Sequence, residues 1–197
     1  SGKGNNGTVN GATLTTDRFG NMNSAYEISG NSGTYGSNKF IQIPCIINGY
    51  NKLSISLWVK ENNISYEHGE AYIWFGDHSN RYVGIAHFNF VYKGDDNDYL
   101  LFMVMGSDGS NPSAEKDHSV FTTYDNSWRS TFQHYVLVYD GINGSIKGFR
   151  NGILIGSKQI SESSITLNYT YAALGKHWWT SGNSSYTRFN GVMDDVR

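Results

Sequence analysis

The residues best suited to chemistry in this 197-residue sequence fall in two short polar segments. In His177-Trp178-Trp179-Thr180-Ser181-Gly182-Asn183 two adjacent indoles head a run of small polar side chains. Neighbouring side chains on an extended backbone point oppositely, so at least one indole is expected to meet solvent. An exposed indole offers a flat apolar face to the C–H face of a pyranose. The packing alternative puts one tryptophan in the core and the other over a sheet edge. In Asp77-His78-Ser79-Asn80-Arg81 a carboxylate, an amide and a guanidinium share one turn and supply both donors and acceptors for sugar hydroxyls. The alternative there is a plain polar turn. On the binding reading Trp178 and Trp179 stack on the sugar, while Asp77, Asn80, Arg81 and His177 hydrogen-bond its hydroxyls.

Catalytic chemistry leaves fewer traces. Glycoside hydrolysis needs two carboxyl groups on one face, about 5–5.5 Å apart for a retaining enzyme. Glu67-His68-Gly69-Glu70 is the nearest pair, but it falls in a predicted loop and its spacing of three does not suit a strand. Asp194 and Asp195 are adjacent, so a regular strand would send them to opposite faces. No His-Glu-x-x-His, Cys-x-x-Cys or Gly-x-Ser-x-Gly occurs. The six histidines show no metal-ligand spacing. His134 shares a face with Phe132, Val136 and Val138 and is expected in the core, as is His87 beside Val83 and Ile85. Cys45, the single cysteine, ends an apolar run and reads as a buried, inert thiol. The chain reads as a non-enzyme.

Composition narrows the partners. Charged residues make up 16% of the chain, against about 25% in an average domain. Aromatics make up 15%, and Asn, Ser, Thr and Gly fill the polar positions, a mixture suited to neutral, hydroxyl-rich ligands. A net charge of −2 without a basic run argues against nucleic acid. No apolar run reaches the roughly 20 residues of a membrane span, so membrane insertion is not expected. The sequence opens SGKGNNG and stops inside what reads as a strand. We expect residues 1–197 to be one domain excised from a larger protein.

Elements must be found to position these residues. Helical periodicity is nearly absent, and alternation with period two recurs. Leu53, Ile55, Leu57 and Val59 share one face of a strand, with Ser54, Ser56, Trp58 and Lys60 on the other. Residues 99–105 and 134–139 are apolar on both faces and should be covered on both sides. Further strands are expected over residues 7–14, 25–29, 40–44, 71–75, 172–175 and 189–197. Residues 132–158 read as three antiparallel strands, with Asn151-Gly152 and Asn143-Gly144 as tight turns. The longest irregular stretch, 106–127, is polar and reads as a lid or binding loop. Many short strands with regular turns imply two antiparallel sheets packed face to face.

Five segments in order then resemble a known family. They are Asp17-Arg18-Phe19-Gly20-Asn21 with Ser24-Ala25-Tyr26-Glu27-Ile28-Ser29-Gly30; Ile55-Ser56-Leu57-Trp58-Val59-Lys60; Phe132-x-His134-Tyr135-Val136-Leu137-Val138-Tyr139-Asp140; Phe149-Arg150-Asn151-Gly152; and the closing Phe189-Asn190-Gly191-Val192-Met193-Asp194-Asp195-Val196-Arg197. Together they resemble bacterial laminin G-like domains of the concanavalin A-like lectin/glucanase superfamily. The resemblance implies a jelly-roll sandwich, an extracellular setting, frequent calcium and frequent glycan or protein binding. Calcium takes six to eight oxygen ligands. Asp17 and Asn21 flank a glycine-containing turn, and the resemblance brings Asp194 in from the closing strand, so one calcium joining Asp17, Asn21 and Asp194 is expected. The competing arrangement has Asp17 capping its own turn and Asp194 ion-paired with Arg18 or Arg197. Asp95-Asp96-Asn97-Asp98 lacks the Gly and distal Glu of an EF-hand and reads as a solvated hairpin tip.

The sequence therefore predicts an all-β, two-sheet antiparallel β-sandwich of concanavalin A-like jelly-roll type. The expected function is a non-catalytic carbohydrate-binding, lectin-like module of a secreted or cell-surface protein, with calcium as cofactor. Its expected partners are a glycan or polysaccharide and neighbouring domains of a larger chain. Two alternatives stand beside it: a structural or adhesion domain mediating protein contacts, and a glycan-degrading hydrolase with an unrecognised acidic pair.

Overall fold

The computed structural model describes residues 5–29, 39–62, 70–76, 82–89, 98–105, 119–160, 167–176 and 189–197. Among these, fourteen strands form two seven-stranded sheets. The first runs in the order β1 (Thr8–Asn10), β4 (Phe40–Gln42), β13 (Ala172–Leu174), β6 (Glu70–Phe75), β7 (Tyr82–Asn89), β8 (Asp98–Met105), β9 (Ser119–Thr123). The second runs β12 (Ile153–Gln159), β11 (Ser145–Arg150), β10 (Gln133–Asp140), β5 (Lys52–Glu61), β14 (Gly191–Asp194), β3 (Ala25–Ile28), β2 (Thr13–Thr15). Every strand pair is antiparallel. No helix among the described residues is long and apolar enough to cross a membrane.

The alternation read in β5 sets the inter-sheet core. Ile55, Leu57 and Val59 are buried, and β10 adds Tyr135, Leu137 and Tyr139 from the paired register Tyr135↔Leu57 and Leu137↔Ile55. The first sheet answers with Ile73, Phe75, Val83, Ile85, Leu100, Phe102 and Val104. Its other face is buried too, in a second cluster of Ala71, Trp74, Tyr82, Ala86, Leu101 and Met103. That agrees with the apolar reading of 99–105. The matching expectation for β10 fails on one side: Val136 and Val138 are only half-buried, because alternate β10 residues face outward from the second sheet.

Close approach of the sheets depends on glycine at Gly148, where an added Cβ would stand 2.5 Å from the Phe102 ring. The Asn151-Gly152 turn has φ of 50° and 80°, as a type I′ hairpin requires. At Asn143-Gly144 only Gly144 is left-handed (φ 59°), and the connection is the longer turn 141–144.

Two strand expectations need correcting. The stretch 7–14 is not one strand. Gly11, at φ 69°, breaks it, so β1 joins the edge of the first sheet and β2 the edge of the second. The polar stretch 106–127 is not all loop, since Ser119–Thr123 forms the edge strand β9. β9 and β12 lie against one another on the opposite side of the sandwich, where a Cβ on Gly156 would meet Val120 at 2.9 Å.

Candidate functional site

The segment expected to hold calcium forms a clasp around an arginine. The Asp17 backbone N–H donates to the Asn21 carbonyl (3.0 Å), and Asp17 Oδ1 accepts from the Phe19 and Asn21 amides (2.8 and 2.9 Å). Asp17 Oδ2 accepts from the Asn21 side-chain amide (2.9 Å). That side-chain bond leads the contacts that hold the Asp17 carboxyl below its ordinary range. The closed turn extends Arg18 over the outer face of the second sheet. Arg18 Nη1 donates to Asp194 Oδ2 (2.5 Å) and Nη2 to Asp195 Oδ2 (3.2 Å). The guanidinium covers the rings of Trp58 (4.9 Å) and Phe19 (4.3 Å).

Two sequence expectations fall here. Asp194 and Asp195 do not point to opposite faces but reach the same arginine. Asp195 adopts φ 48°, which breaks the strand and turns its carboxylate back to the same guanidinium as Asp194. His134 is not a core histidine. It stands half-buried on the outer face, stacked on Trp58 at 4.8 Å. Burial and then the Arg18 charge press its pKa below the ordinary value. As for the metal, Asp17 is satisfied within its own turn and Asp194 is neutralised by Arg18. Among the described residues no three His, Cys, Asp or Glu side chains gather as a ligand set. Asp17, Asn21 and Asp194 are thus each held by protein groups in this arrangement.

A second cluster, unforeseen in the sequence, lies between the sheets at one end. Glu61 closes β5 and keeps its period, so it faces inward with Ile55, Leu57 and Val59, at 3% exposure. A β-bulge at Tyr72, where Ala71 pairs with Ala86 and Ile73 with Ile85, turns both Tyr72 and Glu70 inward. The sequence placed Glu70 in a loop; it is the first residue of β6. Glu67 lies outside the described residues. The hydroxyls of Tyr72 and Tyr124 donate to Glu61 Oε1 and Oε2, the latter at 2.7 Å. His87 Nδ1 and Arg129 Nε each stand 3.5 Å from Glu61, beyond good hydrogen-bond length. His87 is buried, as expected, and stacks on Tyr124 at 4.0 Å.

The two carboxyls differ in their hold on a proton. Burial works to raise the pKa of Glu61, but the His87 imidazole and the two tyrosine hydroxyls outweigh it and hold that carboxyl below its ordinary range. Glu70 is 8% exposed, and burial followed by the Glu61 charge pushes it well above that range. Among the described residues its Oε2 meets no hydrogen-bond partner. Split proton affinity is what an acid–base pair needs. Both carboxyls are buried. The signal that could have found Glu61 was its place in the 55-57-59-61 series.

The residues expected to contact sugar, Asp77, Asn80, Arg81, His177, Trp178 and Trp179, lie outside the described residues. Their flanks are placed. Gly76 donates to the Tyr171 carbonyl at one end of β13, whereas Gly175 donates to Tyr72 at the other end. β13 therefore delivers the chain toward Trp178 at the Glu70 end of β6, and β6 delivers it toward Asp77 at the opposite end.

A laminin G family model, described as the concanavalin A-like lectin/glucanases superfamily, matches residues 35–197. No curated protein sequence matches the chain. Among solved structures, the same sandwich occurs in botulinum neurotoxin type C, which depends on two ganglioside molecules to get into cells. There the TM-score is 0.63 and identity 16%, over 98% of this chain and 43% of that one. The binding domain of botulinum neurotoxin serotype D gives 0.61 and 14%, again over 98% and 43%. The chain thus spans less than half the length of these toxin chains. The CBM40 of a Ruminococcus gnavus IT-sialidase, bound to α2,3-sialyllactose, gives 0.59 and 15%, over 88% of this chain and 89% of that one. At these identities the likeness is one of fold.

Proposed function

The chain belongs to the concanavalin A-like lectin/glucanase superfamily, and from that premise we propose that it is a non-catalytic, lectin-like glycan-binding module of a secreted or cell-surface protein. One observation carries the reading. Two kinds of protein sharing this sandwich over 88–98% of the chain are a ganglioside-dependent toxin and a sialyllactose-bound carbohydrate-binding module. The loops at the sandwich ends do the recognising, with Trp178 and Trp179 stacking on sugar. Asp77, Asn80, Arg81 and His177 hydrogen-bond hydroxyls. Because the flanks of the two segments leave opposite ends of one sheet, the two sets are tested separately.

The experiment is a glycan array carrying neutral oligosaccharides, sialyllactoses and ganglioside headgroups, run with calcium and with chelator. The wild type should give at least one hit. Trp178→Ala with Trp179→Ala should weaken it at least about tenfold, or about 1.4 kcal/mol. Asp77→Ala with Arg81→Ala, tested separately, should also weaken it. An array without hits in either condition would sink the reading. Release of reducing sugar from β-glucans would replace it with a hydrolase.

A further inference from the structure

We propose that Arg150, stacked on Trp128 at the Glu61 end of the sandwich, anchors the carboxylate of an acidic sugar. This inference rests on the lectin-like reading above and names the class of glycan involved, one that carries a sialic or uronic acid residue.

Arginine presents a planar fork of N–H donors that fits a carboxylate through two parallel bonds. Three of the four described arginines face such a group within the protein. Arg18 grips Asp194 and Asp195, Arg197 reaches Asp195, and Arg129 stands 3.5 Å from Glu61. Arg150 is the exception. Among the described residues no carboxylate comes within ion-pair distance of it, and its hydrogen bond runs from Nη1 to the neutral Gln133 Oε1 at 3.2 Å. Nε and Nη2 have no such partner there.

The side chain is nevertheless held in place. Its guanidinium lies 3.6 Å from the Trp128 ring centre, and Trp128 makes an edge contact with Tyr124 at 5.2 Å. Gln133 is buried; its Nε2 donates to Thr131 Oγ1, and its Oε1 also accepts from Asn151 Nδ2, both at 2.8 Å. The fork is therefore oriented before a ligand arrives, which lowers the ordering cost of binding. Arg150 and Trp128 are both half-buried, so the indole shields one guanidinium face from water while part of the stack stays open to solvent. A carboxylate entering there would gain charge-assisted bonds at a partly desolvated cation.

The surroundings suit a sugar ring attached to that carboxylate. Asn126 and Ser127, both exposed, precede Trp128 in one short 3-10 turn and offer an amide and a hydroxyl. Asp125 feels the Arg150 charge but makes no ion pair with it, and its Oδ1 accepts the Ser127 amide at 2.8 Å. It weakens the pull on a second anion without filling the fork. The pairing Arg150↔Tyr135↔Leu57 puts the stack near the Glu61 end of β5, the end from which β13 sends the chain toward Trp178.

The test titrates wild type, Arg150→Ala, Arg150→Lys and Asp125→Asn with α2,3-sialyllactose, glucuronyl-lactose and lactose. Calorimetry gives affinities, and nitrogen-15 NMR follows the Arg150 Nε–H and the Trp128 indole N–H. The wild type should bind at least one acidic sugar about tenfold or more tighter than lactose, and which one it prefers separates sialic from uronic acid. R150A should bring that ratio close to one. R150K should restore only part of it, because an ammonium has no fork. D125N should raise it. A wild-type ratio near one, or a ratio that R150A leaves unchanged, would overturn the anchor. Binding of neutral glycans without acid preference would overturn the anchor and leave the lectin reading in place, whereas binding of neither kind would end both. If R150A does not fold, the wild-type NMR titration decides. An Arg150 Nε–H signal that shifts to saturation with the acidic sugar and not with lactose supports the anchor, and an unmoved signal overturns it.

Discussion

Replacing Arg18 by alanine should cost far more than loss of a surface ion pair. An exposed pair contributes about 0–1 kcal/mol. Here the side chains of Arg18 and Asp194 are only 17% and 7% exposed, and the bond is 2.5 Å long. Removing the guanidinium strands a nearly buried carboxylate, a loss of about 3–5 kcal/mol where burial is complete. The second bond, to Asp195, is weaker, since that carboxylate is 29% exposed. Contact with the Trp58 and Phe19 rings adds about 0.5–1 kcal/mol. Discounting the buried figure for residual solvent gives about 3 kcal/mol, or roughly 6–12 °C in Tm for a domain of this size. Urea unfolding of wild type, Arg18→Ala, Asp194→Asn and the double variant completes a cycle. The double variant should recover at least about 1 kcal/mol of the sum of the singles. Because the pair is mostly buried, the coupling should survive 0.5 M salt. A loss below about 1 kcal/mol for R18A, or a coupling energy near zero, would show that the clasp is only a surface contact.

Calcium added to chelator-treated protein should leave Tm unchanged within about 1 °C, because the Asp17 and Asp194 carboxylates are satisfied by their own neighbours; a larger rise, read by calorimetry, would restore a cation site. Tyr72→Phe removes a donor to Glu61 and should cost about 1–2 kcal/mol at pH 7. It should also raise the acid-unfolding midpoint, because a carboxyl with lowered pKa contributes stability above its unfolded value that is lost as pH falls through the folded one. Circular dichroism against pH reads both effects. Gly148→Ala drives a methyl into the Phe102 ring and should cost about 1–3 kcal/mol in denaturant unfolding, with little change in m-value.

The sandwich was legible because its strands obey one rule over long runs. The Leu53–Val59 alternation fixed a face, and Asn151-Gly152 fixed a hairpin. Departures occurred where a single residue changed the count. Gly11 and Asp195 adopt left-handed backbone, which splits one strand and folds two adjacent aspartates onto one arginine. The bulge at Tyr72 put Glu70 on a face that simple alternation denies it. Period two also leaves open which face of a strand apolar on both sides is the inner one, so it does not separate a core position for His134 from an outer one. Nothing local marks Glu61, because a charged strand end ordinarily reads as solvated. Its partners Tyr72, Tyr124, His87 and Arg129 come from elements far apart in sequence, and no local pattern announces their meeting.

The N-terminal segment lends an edge to each sheet within eight residues, changing layers at Gly11. One flank of the molecule is therefore stitched by continuous chain, whereas β9 and β12 close the other only by leaning together. A single protease cut after Thr15 would unseam both layers at once. Any shortened form of this domain should begin before Thr8.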